Sequence, residues 1–149
     1  MKPLNFPALH ERMTAILKAN PPREATDAEI YNLLHGALAT AAQDGESVNA
    51  DDLCRVMIEI LGLCAMKGWH LGKALIDVTV PTRRDGLLDL VMEAHIGIGL
   101  AYGASVEPDG VAPSFFLAVA FRHLLTLCER IGAEPADAFE ETLSRMSAS

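Results

Sequence analysis

Apolar residues recur along most of this chain at spacings of three and four, the period of a helix with one buried face. Leu9, Met13, Ile16 and Leu17 form the first stripe, expected to open near Pro7 and to stop at Asn20-Pro21-Pro22. Thr26-Asp27-Ala28-Glu29 has the form of a capping box and predicts a second helix to about Gln43, ended by Asp44-Gly45. Its apolar face is Ile30, Leu33, Leu34, Ala37, Leu38 and Ala41. The third helix should be capped by Asn49, carry Asp51 and Asp52 in a first turn where the macrodipole favours acids, and end at Gly68. Its buried side is expected at Leu53, Met57, Leu61 and Cys64, and a short fourth helix should run from about Leu71 to Val80, before Pro81. Helix five follows Thr82-Arg83-Arg84-Asp85. Gly97, Gly99 and Gly103 in its second half each cost about 1 kcal/mol relative to Ala, so Gly97 and Gly99 either admit a close neighbour or mark a break. After a turn at Pro108-Asp109-Gly110, helix six is expected from about Ser114 to Ile131, and helix seven from Pro135 to near Met146.

The second half of the chain echoes the first. With Gly68 set on Gly132, an offset of 64 residues, Leu53, Leu61, Leu63, Cys64 and Ala74 fall on Leu117, Leu125, Leu127, Cys128 and Ala138 without a gap. The positions that repeat are those of a buried face, and a hairpin with one apolar face needs a neighbour to cover it. The expectation is a single all-α domain over residues 1–149: a helical bundle of two pseudo-symmetric hairpin repeats, about 26–81 and 82–146, preceded by one extra helix.

Composition agrees with that class. Of 149 residues half are hydrophobic and only 5% aromatic, which suits closely packed helices. The net charge of −8 argues against binding a nucleic-acid backbone, since release of phosphate counterions needs a basic surface. Cys54, Cys64 and Cys128 lie in apolar helical runs rather than at metal spacings, and read as core residues of a reducing compartment. No signal peptide and no stretch long and apolar enough to span a bilayer is apparent, so a cytoplasmic protein without membrane contact is expected.

The segment from Asp51 to Leu75, DDLCRVMIEILGLCAMKGWHLGKAL, resembles the third-helix region of MazG-like, all-α nucleotide pyrophosphohydrolases. In that family an ExxD motif opens a helix of this shape, which ends at glycine, passes a short cap and continues into a helix with alanine at this place. Residues 114–146 carry the same rhythm more faintly. The resemblance implies a site of clustered carboxylates for magnesium, a hard cation that takes oxygen ligands and polarises phosphates for attack by water. The ExxD positions fall on Asp52 and Arg55, so one acid is shortened and the other replaced by a cation. Where the family's EExxE helix should lie there is only Glu29, followed by Asn32 and His35, and the second copy offers Glu93 alone. The remaining metal candidates are Glu29, Asp51, Asp52 and Glu93, and Arg83 with Arg84 are the candidate phosphate contacts.

Simpler roles stand beside each. Acids in a first helical turn are favoured by the dipole and need no ligand. His10, His35, His70, His95 and His123 form no HxxxH pair on one helical face and are expected to be satisfied or exposed. Trp69, at a corner between helices, reads as a packing plug, and neither Ser114 nor Cys128 has local context to make it a nucleophile. The leading expectation is a divergent MazG-like scaffold without standard pyrophosphohydrolase activity that binds a nucleotide or anion. An acidic helical module, an inhibitor or regulatory subunit that recognises a basic protein, is the alternative, and an atypical magnesium-dependent hydrolase is the second. A homodimer is compatible with each.

Overall fold

Caps written into the sequence decide where the helices begin. In the computed structural model, which describes residues 1–43, 47–82, 85–108 and 110–148, Asn5 Oδ1 accepts from the Ala8 amide at 3.2 Å and opens α1, Phe6–Ala19. Thr26 Oγ1 accepts from the Glu29 amide at 3.2 Å and opens α2, Asp27–Ala41, while Asn49 Oδ1 does the same for Asp52 at 3.0 Å and opens α3, Ala50–Lys67. A short α4, Leu71–Leu75, follows. Asp89 turns back to accept from the Gly86 amide at the start of α5, Leu87–Val106; α6 is Pro113–Ile131 and α7 is Pro135–Ser147, each with proline in its first turn. Among the described residues the chain is all-α.

The expected helices are present, with two differences. Helix α2 stops at Ala41 instead of near Gln43, and the Asp44-Gly45 stop lies outside the described residues. Helix α4 spans five residues and ends well before Val80, because the β-branched run Val78-Thr79-Val80 before Pro81 favours extended backbone. Helix α5 continues unbroken through all three glycines. Against the expectation that no stretch would be long and apolar enough to cross a bilayer, α5, at 20 residues, is so by length and composition, although one of its sides is packed into the bundle.

Helices α3 and α6 are buried nearly all round, with ten and nine buried residues, so Val56, Ile60 and Leu63 are as enclosed as the expected face at Leu53, Met57, Leu61 and Cys64. They end alike, at Gly68 and Gly132, whose φ of 74° and 72° lie in the left-handed region that glycine enters without penalty. Helix α2 pairs with α3 and α5 with α6; α2 also lies on α5, and α3 on α6. Each short helix after a glycine crosses over: α4 packs on α6, and α7 on α3. Helix α1 covers α3, α4 and α7, burying Met13 and Ile16 and setting Phe6 edge-on to Phe121 at 5.7 Å. Arg12 reaches Glu140 at 2.6 Å and Ser144 at 3.0 Å, which ties α1 to α7 on the surface.

The most extensive packing of the bundle is between α5 and α6. A Cβ added at Gly97 would stand 2.9 Å from the Phe116 carbonyl oxygen and 3.0 Å from the Ala120 amide nitrogen, so the two backbones touch through the missing side chain. Gly99, two residues on, faces open space. Gly97→Ala is therefore expected to lose about 1–3 kcal/mol, because backbone atoms must shift, and Gly99→Ala to gain about 0.5–1 kcal/mol from helix propensity alone. Urea unfolding of the two variants checks the opposite signs.

Candidate functional site

The four candidate metal ligands are not brought together. In the α2–α3 hairpin the start of α2 lies beside the end of α3, where Lys67 meets Asp27 at 2.9 Å. Glu29 is thus at one end of the hairpin and Asp51 and Asp52 at the other, separated by most of the length of α2, on the order of 20 Å at 1.5 Å per residue. Glu29 is occupied with its cap, its Oε1 accepting from Thr26 Oγ1 at 3.1 Å. Glu93 stands exposed on α5. Among the described residues no three His, Cys, Asp or Glu side chains are placed to hold a metal, so Glu29, Asp51, Asp52 and Glu93 form no such cluster there. Arg83 and Arg84, the candidate phosphate contacts, lie outside the described residues.

Arg55, at the position of the motif's second acid, borders two cavities. One, of about 1170 Å³, runs between α2 and α3 and is edged by Arg23, Asp27, Asn32, Glu59 and Lys67. The other, of about 550 Å³, lies between α3 and α7, with Asp51, Glu59 and Glu141 on its walls. Desolvation holds the Glu59 carboxyl above its ordinary pKa, and the Arg55 guanidinium pulls it back. Charges of both signs alternate along these walls, an arrangement that solvates a surface and concentrates no field of one sign. Burial pushes the Cys64 thiol up to about 12, Cys128 is pushed up by its contact with the Cys54 thiol and by burial, and the same contact lowers Cys54; all three are buried.

The most distinctive surface is one to which the sequence reading assigned no role. Leu88, Met92, Ile96 and Leu100 follow one another at intervals of four along α5, and each is between 49 and 59% exposed. Val106, about 120° round the helix from Leu100, is also 57% exposed, and the bare backbones of Gly99 and Gly103 lie open within the stripe. The opposite side of the helix, Leu90, Ala94, Gly97, Ile98 and Ala101, is buried. Helix α2 packs beside α5 through Tyr31 and His35, whereas Leu33, 67% exposed, faces the α2–α3 cavity. None of the chain's 12 Lys and Arg residues falls on α2 or α5, whose charged residues are Asp27, Glu29, Asp89 and Glu93. The sequence held the signal in the four-residue spacing, but a helix apolar on both sides gives no contrast to show which side is packed.

Where α2 meets α5, His35 and His95 lie in parallel, their planes 12° apart and their Nδ1 atoms at 2.9 Å. One Nδ1 must donate and the other accept, so the pair cannot form with both rings charged. Burial lowers both pKa values, and for His95 the neighbouring His35 adds to it. Tyr31 and Tyr102 extend this seam with ring centroids 5.5 Å apart. His123 Nδ1 lies 2.7 Å from the Val119 carbonyl. The His35–His95 pair gives the fold a pH dependence of definite sign. With folded values below the unfolded value of about 6.5, the unfolded chain takes up protons first, so stability is complete above that pH and is lost as the pH falls through the folded values. Urea midpoints should decline from pH 7 to pH 5, and His95→Gln should flatten the decline; an unchanged slope would remove the pair from the account.

Set beside protein-family models, curated proteins and solved structures, the chain matches none.

Proposed function

We propose that this protein is an acidic helical interaction module, built on a scaffold of the MazG-like kind whose metal chemistry has been lost, and that the outer face of α5 is its working surface. The observation that carries the reading is the line Leu88, Met92, Ile96, Leu100, open to solvent for nearly the whole length of a helix whose other side is core. Contiguous apolar surface of this kind marks an interaction site more often than an accident of packing. Dispersal of Glu29, Asp51, Asp52 and Glu93 supports the loss of magnesium-dependent hydrolysis, and their roles in capping and solvation account for their presence.

The occupant is a basic amphipathic helix of a protein partner. A ridge of side chains four apart receives a helix that lays its own apolar stripe along it, and the exposed glycines let the two backbones approach closely. Asp89 and Glu93 each follow an apolar position by one residue, about 100° round the helix. They flank the stripe with negative charge, and neither α2 nor α5 supplies a cation to answer it. A partner rimmed with Lys or Arg completes the complementarity and gains in association rate.

A synthetic 18-residue helix with leucines on one face and lysines flanking them is expected to bind, to weaken as salt rises, and to shift the methyl resonances of Met92 and Ile96. Its counterpart with glutamates in the flanks should not bind, and Ile96→Asp should weaken the lysine peptide about tenfold or more without altering the fold. Equal binding of the two peptides would overturn the charge argument. A concentration-dependent dimer that occludes Met92 would make a second copy of the chain the occupant, and a melting-temperature rise requiring magnesium together with a nucleotide would restore the hydrolase reading.

A further inference from the structure

The seam beside the outer α5 face holds a titratable pair set edge to edge. The ring centroids of His35 and His95 are 5.1 Å apart while their Nδ1 atoms are 2.9 Å apart, so the two nitrogens are the facing edges of the rings. One proton fits between them. With both rings neutral, the Nδ1–H of one ring donates to the Nδ1 lone pair of the other; a first added proton goes to an outer Nε2 and leaves that bond in place, and a second takes the lone pair that accepts it. Both residues keep part of their surface in solvent, which is all that a proton needs.

Little besides the pair itself sets its charge. Tyr31 of α2 and Tyr102 of α5 share the seam. Burial lowers the pKa of both histidines, and for His95 the His35 ring adds to it. Among the described residues no carboxylate, lysine or arginine of α2 or α5, or of α3 and α6 packed on them, is a further cause, and this includes Asp27, Glu29, Asp89 and Glu93. The rings are therefore neutral at pH 7 and gain charge only below the ordinary histidine value of about 6.5.

The place of His95 on α5 decides what that charge does. His95 follows Leu88 by seven residues and Met92 by three, which sets it about 20° and 60° round the helix from them. Glu93 lies about 100° from Met92 in the opposite sense. The apolar stripe thus has a carboxylate along one edge and the histidine pair along the other. Neutral rings leave Asp89 and Glu93 to set the sign of the face. Protonated rings place positive charge beside the flanking lysines of a docked helix, and like charges brought together across an interface suppress binding. When both rings are charged, their bond across the α2–α5 seam is lost as well.

We propose that the His35–His95 pair is a proton switch on the α5 docking face, admitting a lysine-flanked helix when neutral and releasing it when protonated. This regulation rests on the reading of the outer α5 face as the docking surface for a basic helix.

The test titrates the lysine-flanked 18-residue peptide into the full chain at pH 7.5 and pH 5.5 at one ionic strength, with the methyls of Leu90 and Ile98 reporting an intact core. Binding is expected to weaken about tenfold at the lower pH, and the His35→Gln, His95→Gln double variant should bind alike at both. By reciprocity the peptide should lower the midpoint of the His95 ring titration in the unaltered chain, a readout that needs no variant. Equal affinity at the two pH values, a dependence that persists in the double variant, or a His95 midpoint unmoved by the peptide would each overturn the switch and leave the docking face standing. A peptide that fails to bind at pH 7.5 would overturn the docking face itself, and the switch with it.

Discussion

The contact through Gly97 organises this molecule. Because α5 lacks a side chain there, its backbone rests against the Phe116 carbonyl and the Ala120 amide of α6, and the two longest helices lie closer than ordinary side chains permit. That contact fixes the rotation of α5 about its own axis. Leu90, Ala94, Ile98 and Ala101 turn into the core, and by the same rotation Leu88, Met92, Ile96 and Leu100 turn out. The outer apolar line follows from the inner one, since a helix of this composition has no polar side to show.

Around that pair the remaining elements close the core by exchange. Helix α4 leaves α3 to cover α6, and α7 leaves α6 to cover α3, each after a left-handed glycine that turns the chain sharply. This crossing holds the two hairpins to one another, and α1 closes the side where α3, α4 and α7 meet. The polar seam of His35 and His95 between α2 and α5 adds specificity to an otherwise apolar interface, because the hydrogen bond survives only at one relative placement of the two helices.

Much of the fold was legible in the sequence because caps and stops are local. Thr26, Asn49, Gly68, Gly132 and Pro135 each act within a few residues of themselves, and the helices begin or end where they say. Helix α4 was overextended because its stripe ran on into residues whose β-branching favours extended backbone. The candidate site was legible only as residue types. Whether acids converge depends on the sense of the hairpin, and antiparallel pairing of α2 with α3 sets Glu29 at the end opposite Asp51 and Asp52. The histidine pairings escaped for the same reason: His35 with His95 and His10 with His70 are each 60 residues apart and meet only in the packed bundle. The outer face of α5 escaped because its apolar residues read equally well as core.

A docking face on α5 must be open in the free protein. Methyl relaxation enhancement by a soluble, uncharged paramagnetic probe, measured on the dilute chain, tests this directly. Strong attenuation of Leu88, Met92, Ile96 and Leu100 is expected, with Leu90 and Ile98 on the same helix protected. Protection of Met92 and Ile96 equal to that of Ile98, in a chain shown to be monomeric at that concentration, would mean that the face is covered from within and would contradict that requirement.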